Sequence, residues 1–110
     1  MNEDIAAART VANEVGLAVV EVELIYLVGS RIIGTATERS DFDLTVIVSG
    51  PIRTQWSEKG TPPALGYAPT CRGMPIHWQL LPAGEYDRAR FEKEAVHSRE
   101  PFLLLYEAPV

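Results

Sequence analysis

A chain of 110 residues that is 46% hydrophobic, with a mean hydropathy of −0.01, can build a core without metal or disulfide staples, burying roughly 65% of its unfolded surface. Its net charge of −5 argues against general nucleic-acid binding, which depends on Lys and Arg neutralising phosphates. No apolar run approaches the roughly 20 residues that span a bilayer, and the lone Cys71 excludes an internal disulfide or a cysteine zinc cage.

The chain begins MNEDIAAART, acidic and without the apolar core of a signal peptide, so cytoplasmic residence is expected. NEDIAAARTVANEVG predicts a helix. Asn2 is placed as N-cap, Glu3 and Asp4 suit the positive end of the dipole, and Gly16 is placed at C′. Ile5, Ala8, Ala12 and Val15 give it a narrow apolar stripe, which reads as core packing. EVELIYLVG predicts a strand buried on both faces from Leu24 to Val28. RIIGTATE is long enough for one helical turn before the chain reverses into a second strand, FDLTVIVS, which Gly50-Pro51 ends. Residues 51–73, rich in Pro and Gly, predict a loop with one helical turn around Gln55 to Lys59. MPIHWQLLP predicts a third strand, and AGEYDRARFEKEAVHS a helix with a ragged apolar face: Tyr86, Ala89 and Val96 on one side, Phe91 and Ala95 on another. PFLLLYE closes the chain as a strand or packed helix. With no repeat and no linker, residues 1–110 are expected to form one domain. Alternating helices and strands make it α/β, with a small mixed sheet flanked by helices.

Charge is uneven along the chain. Residues 29–73 hold five bases (Arg31, Arg39, Arg53, Lys59, Arg72) against four acids and form the only net-positive third. That suits a compact phosphate ligand better than a duplex.

The same third carries the unusual stretch GSRIIGTATERSDFDL, residues 29 to 44. Gly29 ends a buried strand, where a missing side chain lets backbone turn and approach a ligand. Ser30 and Arg31 follow with two backbone N–H groups at a helical turn, an anion-binding concavity. Asp41 and Asp43 are two apart, so on a strand both carboxylates face one way, with Cα atoms roughly 6.5 Å apart. Something cationic between them relieves their repulsion, and Mg²⁺, which takes hard oxygen ligands and pairs with substrate phosphates, is the natural candidate. An isolated Asp-x-Asp is ordinarily a solvated turn. The Gly-Ser turn ahead of it and the apolar strands on either side make this one more specific.

LVGSRIIGTATERSDFDL resembles the signature of the DNA polymerase β-like nucleotidyltransferase superfamily: strand, Gly-Ser, ten residues, Asp-x-Asp, strand. It is close to the minimal nucleotidyltransferases, stand-alone domains of about this length that often serve as antitoxins of HEPN ribonuclease toxins. The resemblance implies that Gly29 and Ser30 hold the β- and γ-phosphates of an NTP, ATP first among them. It further implies that Asp41 and Asp43 bind Mg²⁺ and align an acceptor hydroxyl of a protein or small molecule for attack on the α-phosphorus. Arg31 and Arg39 match no strict family position: one reaches the triphosphate, or both are surface arginines. The chain departs from the pattern on its third strand, where the family keeps another carboxylate and GMPIHWQLLPAG has none. His77 falls at that position, with Gln79 next on the same face. His77 is open to two readings: a substitute ligand or base, or an ordinary half-buried histidine. His97, near a helix C-terminus, is a favourable partner for the dipole. The expected activity is Mg²⁺-dependent transfer of an NMP. The alternative is a degenerate member that binds nucleotide or a protein partner without catalysis.

Overall fold

The computed structural model describes residues 2–33, 41–50, 56 and 61–109. Helix α1 spans Asn2–Ala18, followed by β1 Val22–Val28, the single turn α2 Ser30–Ile33, and β2 Phe42–Val48. After the loop come β3 Thr70–Cys71, β4 Met74–Pro82, α3 Arg88–His97 and β5 Phe102–Glu107. The strands form one mixed sheet in the order β3-β4-β2-β1-β5. Only β2 and β4 are parallel; the other neighbours run antiparallel. The expected α/β class with a small mixed sheet is therefore what the chain adopts.

Strand alternation sorts the sheet into two faces. Ile25 and Leu27 of β1, and Phe42, Leu44, Val46 and Val48 of β2, meet Ala8, Ala12 and Val15 of α1 together with Trp56. Trp56 stands edge-on to Trp78 at 5.1 Å between ring centroids. On the opposite face Leu24, Tyr26, Val28 and Ile47 pack with Phe91 and Ala95 of α3. The Tyr26 and Phe91 rings are 4.3 Å apart, and the Tyr26 hydroxyl donates to Glu92 at 2.8 Å. β1 and β2 are buried on both sides because each face has its own helix.

Helix α3 is too short to cover its whole face. It starts at Arg88, not at Ala83 as expected, because Asp87 in extended conformation accepts the Arg90 N–H at 2.8 Å and caps it. Residues 82–86 make a turn in which the Glu85 and Tyr86 N–H groups both donate to the Pro82 carbonyl. The apolar face of α3 reduces to Phe91 and Ala95, and Val96 is exposed.

Two further expectations change. Gly16 lies inside α1, which runs on to Ala18. A Cβ at Gly16 would overlap the Tyr106 ring of β5, whose hydroxyl donates to the Gly16 carbonyl at 3.1 Å. The glycine therefore serves close packing, not helix termination. Within 51–73, Thr70–Cys71 pairs with β4 through a two-residue turn, Arg72 and Gly73, with φ of 52° and 78°. Positive φ at both positions matches the strand twist and selects this tight hairpin. The helical turn expected around Gln55 to Lys59 lies outside the described residues, apart from the buried Trp56. The closing segment, left open between strand and helix, is the edge strand β5. No helix among the described residues is long and apolar enough to cross a membrane.

Candidate active site

Because α3 covers only part of its face, a polar patch of the sheet stays open beside it. On β2 the polar residues of this face are the half-buried Asp43 and the buried Thr45; on parallel β4 they are the exposed His77 and Gln79. The ladder sets Asp43 opposite His77 and Thr45 opposite Gln79. His77 Nδ1 lies 3.1 Å from Asp43 Oδ1, and the Thr45 hydroxyl donates to Gln79 Oε1 at 3.0 Å. Val28, Gly29, these four residues and Glu100 line a cavity of about 400 Å³.

Gly29 closes one end. It follows the last residue of β1 with φ of +89°, and a Cβ there would sit 3.5 Å from Asp43 Oδ2. The turn thus needs glycine for its backbone conformation, and its open side faces the carboxylate. The Gly29 N–H donates to the Pro101 carbonyl at 3.1 Å, which brings the preceding Glu100 to the cavity wall. Ser30 opens α2 directly after this turn, and the exposed Asp41 stands one residue ahead of β2.

Arg31 has a different setting. Its guanidinium is buried, bonded to Asp4 Oδ2 at 3.1 Å, and lies 4.3 Å over the Phe42 ring. Phe42 belongs to the α1 face of the sheet, so this side chain is turned away from the cavity. Asp4 also accepts from Arg72 at 2.6 Å, and Arg72 reaches Glu3 at 3.1 Å. The Arg72 hydrogen bond, with help from Arg31, holds the Asp4 carboxyl below its ordinary range despite burial. This hub ties α1 to the turn that carries Ser30. Arg39 lies outside the described residues.

Asp43 and Asp41 offer hard oxygens, and the Asp43 side chain is 42% exposed toward an open cavity. Among the described residues no three His, Cys, Asp or Glu side chains converge closely enough to cage an ion. Mg²⁺ is commonly held by one or two carboxylates and completed by water and substrate phosphates.

Thr45 and Glu100 escaped the sequence reading. Thr45 had a signal: it is the one polar residue inside LTVIV and lies two positions from Asp43. Glu100 had none, since the Gly29–Pro101 pairing that places it joins distant segments.

A family profile described as "Nucleotidyltransferase domain" matches residues 9–105. A crystal structure of a Sulfolobus solfataricus protein, described as a candidate nucleotidyltransferase, superposes with a TM-score of 0.51 at 20% identity. The match covers 94% of this chain and 80% of that one, and at this identity it speaks for the fold. No curated protein matches the chain. With nearly its whole length under the family profile, and with the Gly-Ser turn and Asp-x-Asp strand side by side in the sheet, the chain belongs to the nucleotidyltransferase domain family, within the polymerase β-like superfamily.

Proposed function

We propose that this chain is a Mg²⁺-dependent nucleotidyltransferase that moves an NMP, AMP first among them, from an NTP to a hydroxyl group. The observation that carries the reading is the convergence of Gly29, Asp43 and His77 on one open cavity. Gly29, whose own N–H is taken by the Pro101 carbonyl, lets the β- and γ-phosphates approach the turn, and Ser30 binds them through its hydroxyl and backbone N–H. Asp41 and Asp43 would hold Mg²⁺, which when bound neutralises charge developing on the phosphoryl oxygens. In the Nδ1–H tautomer of His77, Asp43 accepts that proton across the 3.1 Å contact and Nε2 is left to accept another. In the transfer His77 Nε2 takes the hydroxyl proton as the acceptor oxygen attacks the α-phosphorus, and pyrophosphate leaves. A histidine there supplies a base but no negative charge, so metal binding is weaker than with a third carboxylate. The acceptor extends to a hydroxyl of a partner protein, a HEPN-type toxin among them.

A degenerate, partner-binding role is the second reading, favoured by the lack of an acid on the cavity face of β4, where His77 and Gln79 stand. Incubation with [α-³²P]ATP, Mg²⁺ and a cell lysate separates the two. Label transferred to protein or small molecules, and lost in Asp43→Asn, supports the enzyme. Mg²⁺-dependent ATP binding without transfer supports the degenerate member, and no such binding at millimolar ATP removes both.

A further inference from the structure

The Thr45–Gln79 pair has no place in the chemistry above, yet it is built into the same cavity. Thr45 is fully buried, and its hydroxyl holds the Gln79 carbonyl oxygen at 3.0 Å. With Oε1 engaged, the donors that Gln79 has left are the two N–H groups of its amide. Gln79 itself is exposed, one step along the parallel ladder from His77.

Position along the strands gives the pair its meaning. Val28 pairs with Asp43 and Tyr26 with Thr45. Gly29 therefore lies beyond Asp43 toward the start of β2, and Thr45 and Gln79 lie on the other side, toward α3. In-line displacement at phosphorus requires the attacking oxygen to stand opposite the leaving group. With pyrophosphate at the Gly29 end, the acceptor enters from the Gln79 end. There a second cavity of about 160 Å³ runs between β4 and α3, lined by Gln79, Leu81, Tyr86, Phe91, Ser98 and Glu100 among others. It shares Gln79 and Glu100 with the first.

We infer that the groove between β4 and α3 admits the acceptor and that Gln79, held by Thr45, orients it by donating to an oxygen beside the reacting hydroxyl. This rests on the nucleotidyltransferase reading above. Among the described residues, the ionisable groups lining the second cavity are Tyr86, Glu94, which also meets Arg90 at 3.5 Å, and Glu100, with no Lys or Arg in the lining. The acceptor class is therefore a hydroxyl compound without negative charge. In the step, the acceptor oxygen forms the new bond to the α-phosphorus, and the bond to the bridging oxygen breaks. Pyrophosphate leaves with that electron pair, and the hydroxyl proton passes to His77. Gln79 is a specificity residue and Thr45 a positioning residue.

The test uses the full chain, [α-³²P]ATP and Mg²⁺, with glycerol and glycerol 3-phosphate as probe acceptors and ATP binding measured separately by calorimetry. Label should reach glycerol and fall about tenfold in kcat/KM with glycerol 3-phosphate, whose charge the lining acids repel. Gln79→Ala should raise KM for glycerol about tenfold, the scale of one lost hydrogen bond, and leave KM for ATP within about twofold. Thr45→Val should follow Gln79→Ala, and Thr45→Ser, which keeps the hydroxyl, should restore wild-type KM; a merely structural role for Thr45 would not split KM in this way. A Gln79→Ala effect on ATP instead of glycerol puts the residue on the nucleotide side and overturns the inference. A protein that binds Mg²⁺–ATP yet labels neither probe overturns the acceptor assignment while sparing the nucleotide site. A protein that binds no Mg²⁺–ATP overturns the reading beneath it.

Discussion

Asp43 and His77 stand opposite each other on parallel neighbouring strands, with Oδ1 and Nδ1 3.1 Å apart. The pair joins a motif residue to the position where the chain departs from its family. Asp43→Asn keeps the shape and removes the charge, so Mg²⁺-dependent ATP affinity should disappear while the melting temperature holds or rises through relief of repulsion with Asp41. His77→Asp should strengthen Mn²⁺ or Mg²⁺ binding in a calorimeter, and His77→Ala should slow transfer. A faster His77→Ala enzyme would count against the imidazole as base.

The Asp4 hub should govern acid stability. Its folded carboxyl lies below the ordinary value of 3.8, with the Arg72 hydrogen bond as the largest cause. A depressed folded value means that Asp4 contributes stability above the unfolded value and loses it as pH falls from there through the folded one. Unfolding curves in urea should therefore weaken below about pH 4, and Asp4→Asn should flatten that part of the profile. At neutral pH the variant should lose about 1.5–3 kcal/mol, because the charged hydrogen bonds of Asp4 to Arg31 and Arg72 are weakened. An unchanged acid profile in Asp4→Asn would assign the effect to other carboxylates.

Gly16→Ala is a helix-favouring change that should fail here. The added methyl meets the Tyr106 ring, which is itself tied to the Gly16 carbonyl. Overpacking of this kind costs about 1–3 kcal/mol, more than the roughly 1 kcal/mol of propensity gained. The double variant Gly16→Ala with Tyr106→Leu should recover part of the loss in a thermal melt; additive losses would mean that the ring is not the obstacle.

Cys71 should be inert in the native protein. It is buried, and desolvation, the largest cause, pushes its thiol up to about 11. The thiolate is the reactive form, so alkylation by iodoacetamide at pH 8 should be slow until denaturant is added. Rapid labelling of the native chain would show that β3 opens readily.

What the sequence alone determined is what local rules control. Period-two alternation in FDLTVIV sets Asp43 against the buried Phe42 and Leu44. Gly29 marks a turn that needs positive φ, and counting back from Pro82 along a strand puts His77 at the depth of Asp43. Tertiary structure decided the rest, since the forces concerned act between segments remote in the chain. Arg31 follows the signal turn, yet it is drawn to Asp4, 27 positions away, and stacks on Phe42. Gly16 looks like a helix end until Tyr106, 90 positions on, fills the space it leaves. Thr45 reads as a polar interruption in a strand until parallel pairing brings Gln79 to its hydroxyl. Which carboxylates and amides share one cavity depends on strand order and on where α3 stops, because a side chain's neighbours across a sheet are chosen by the packing of both faces.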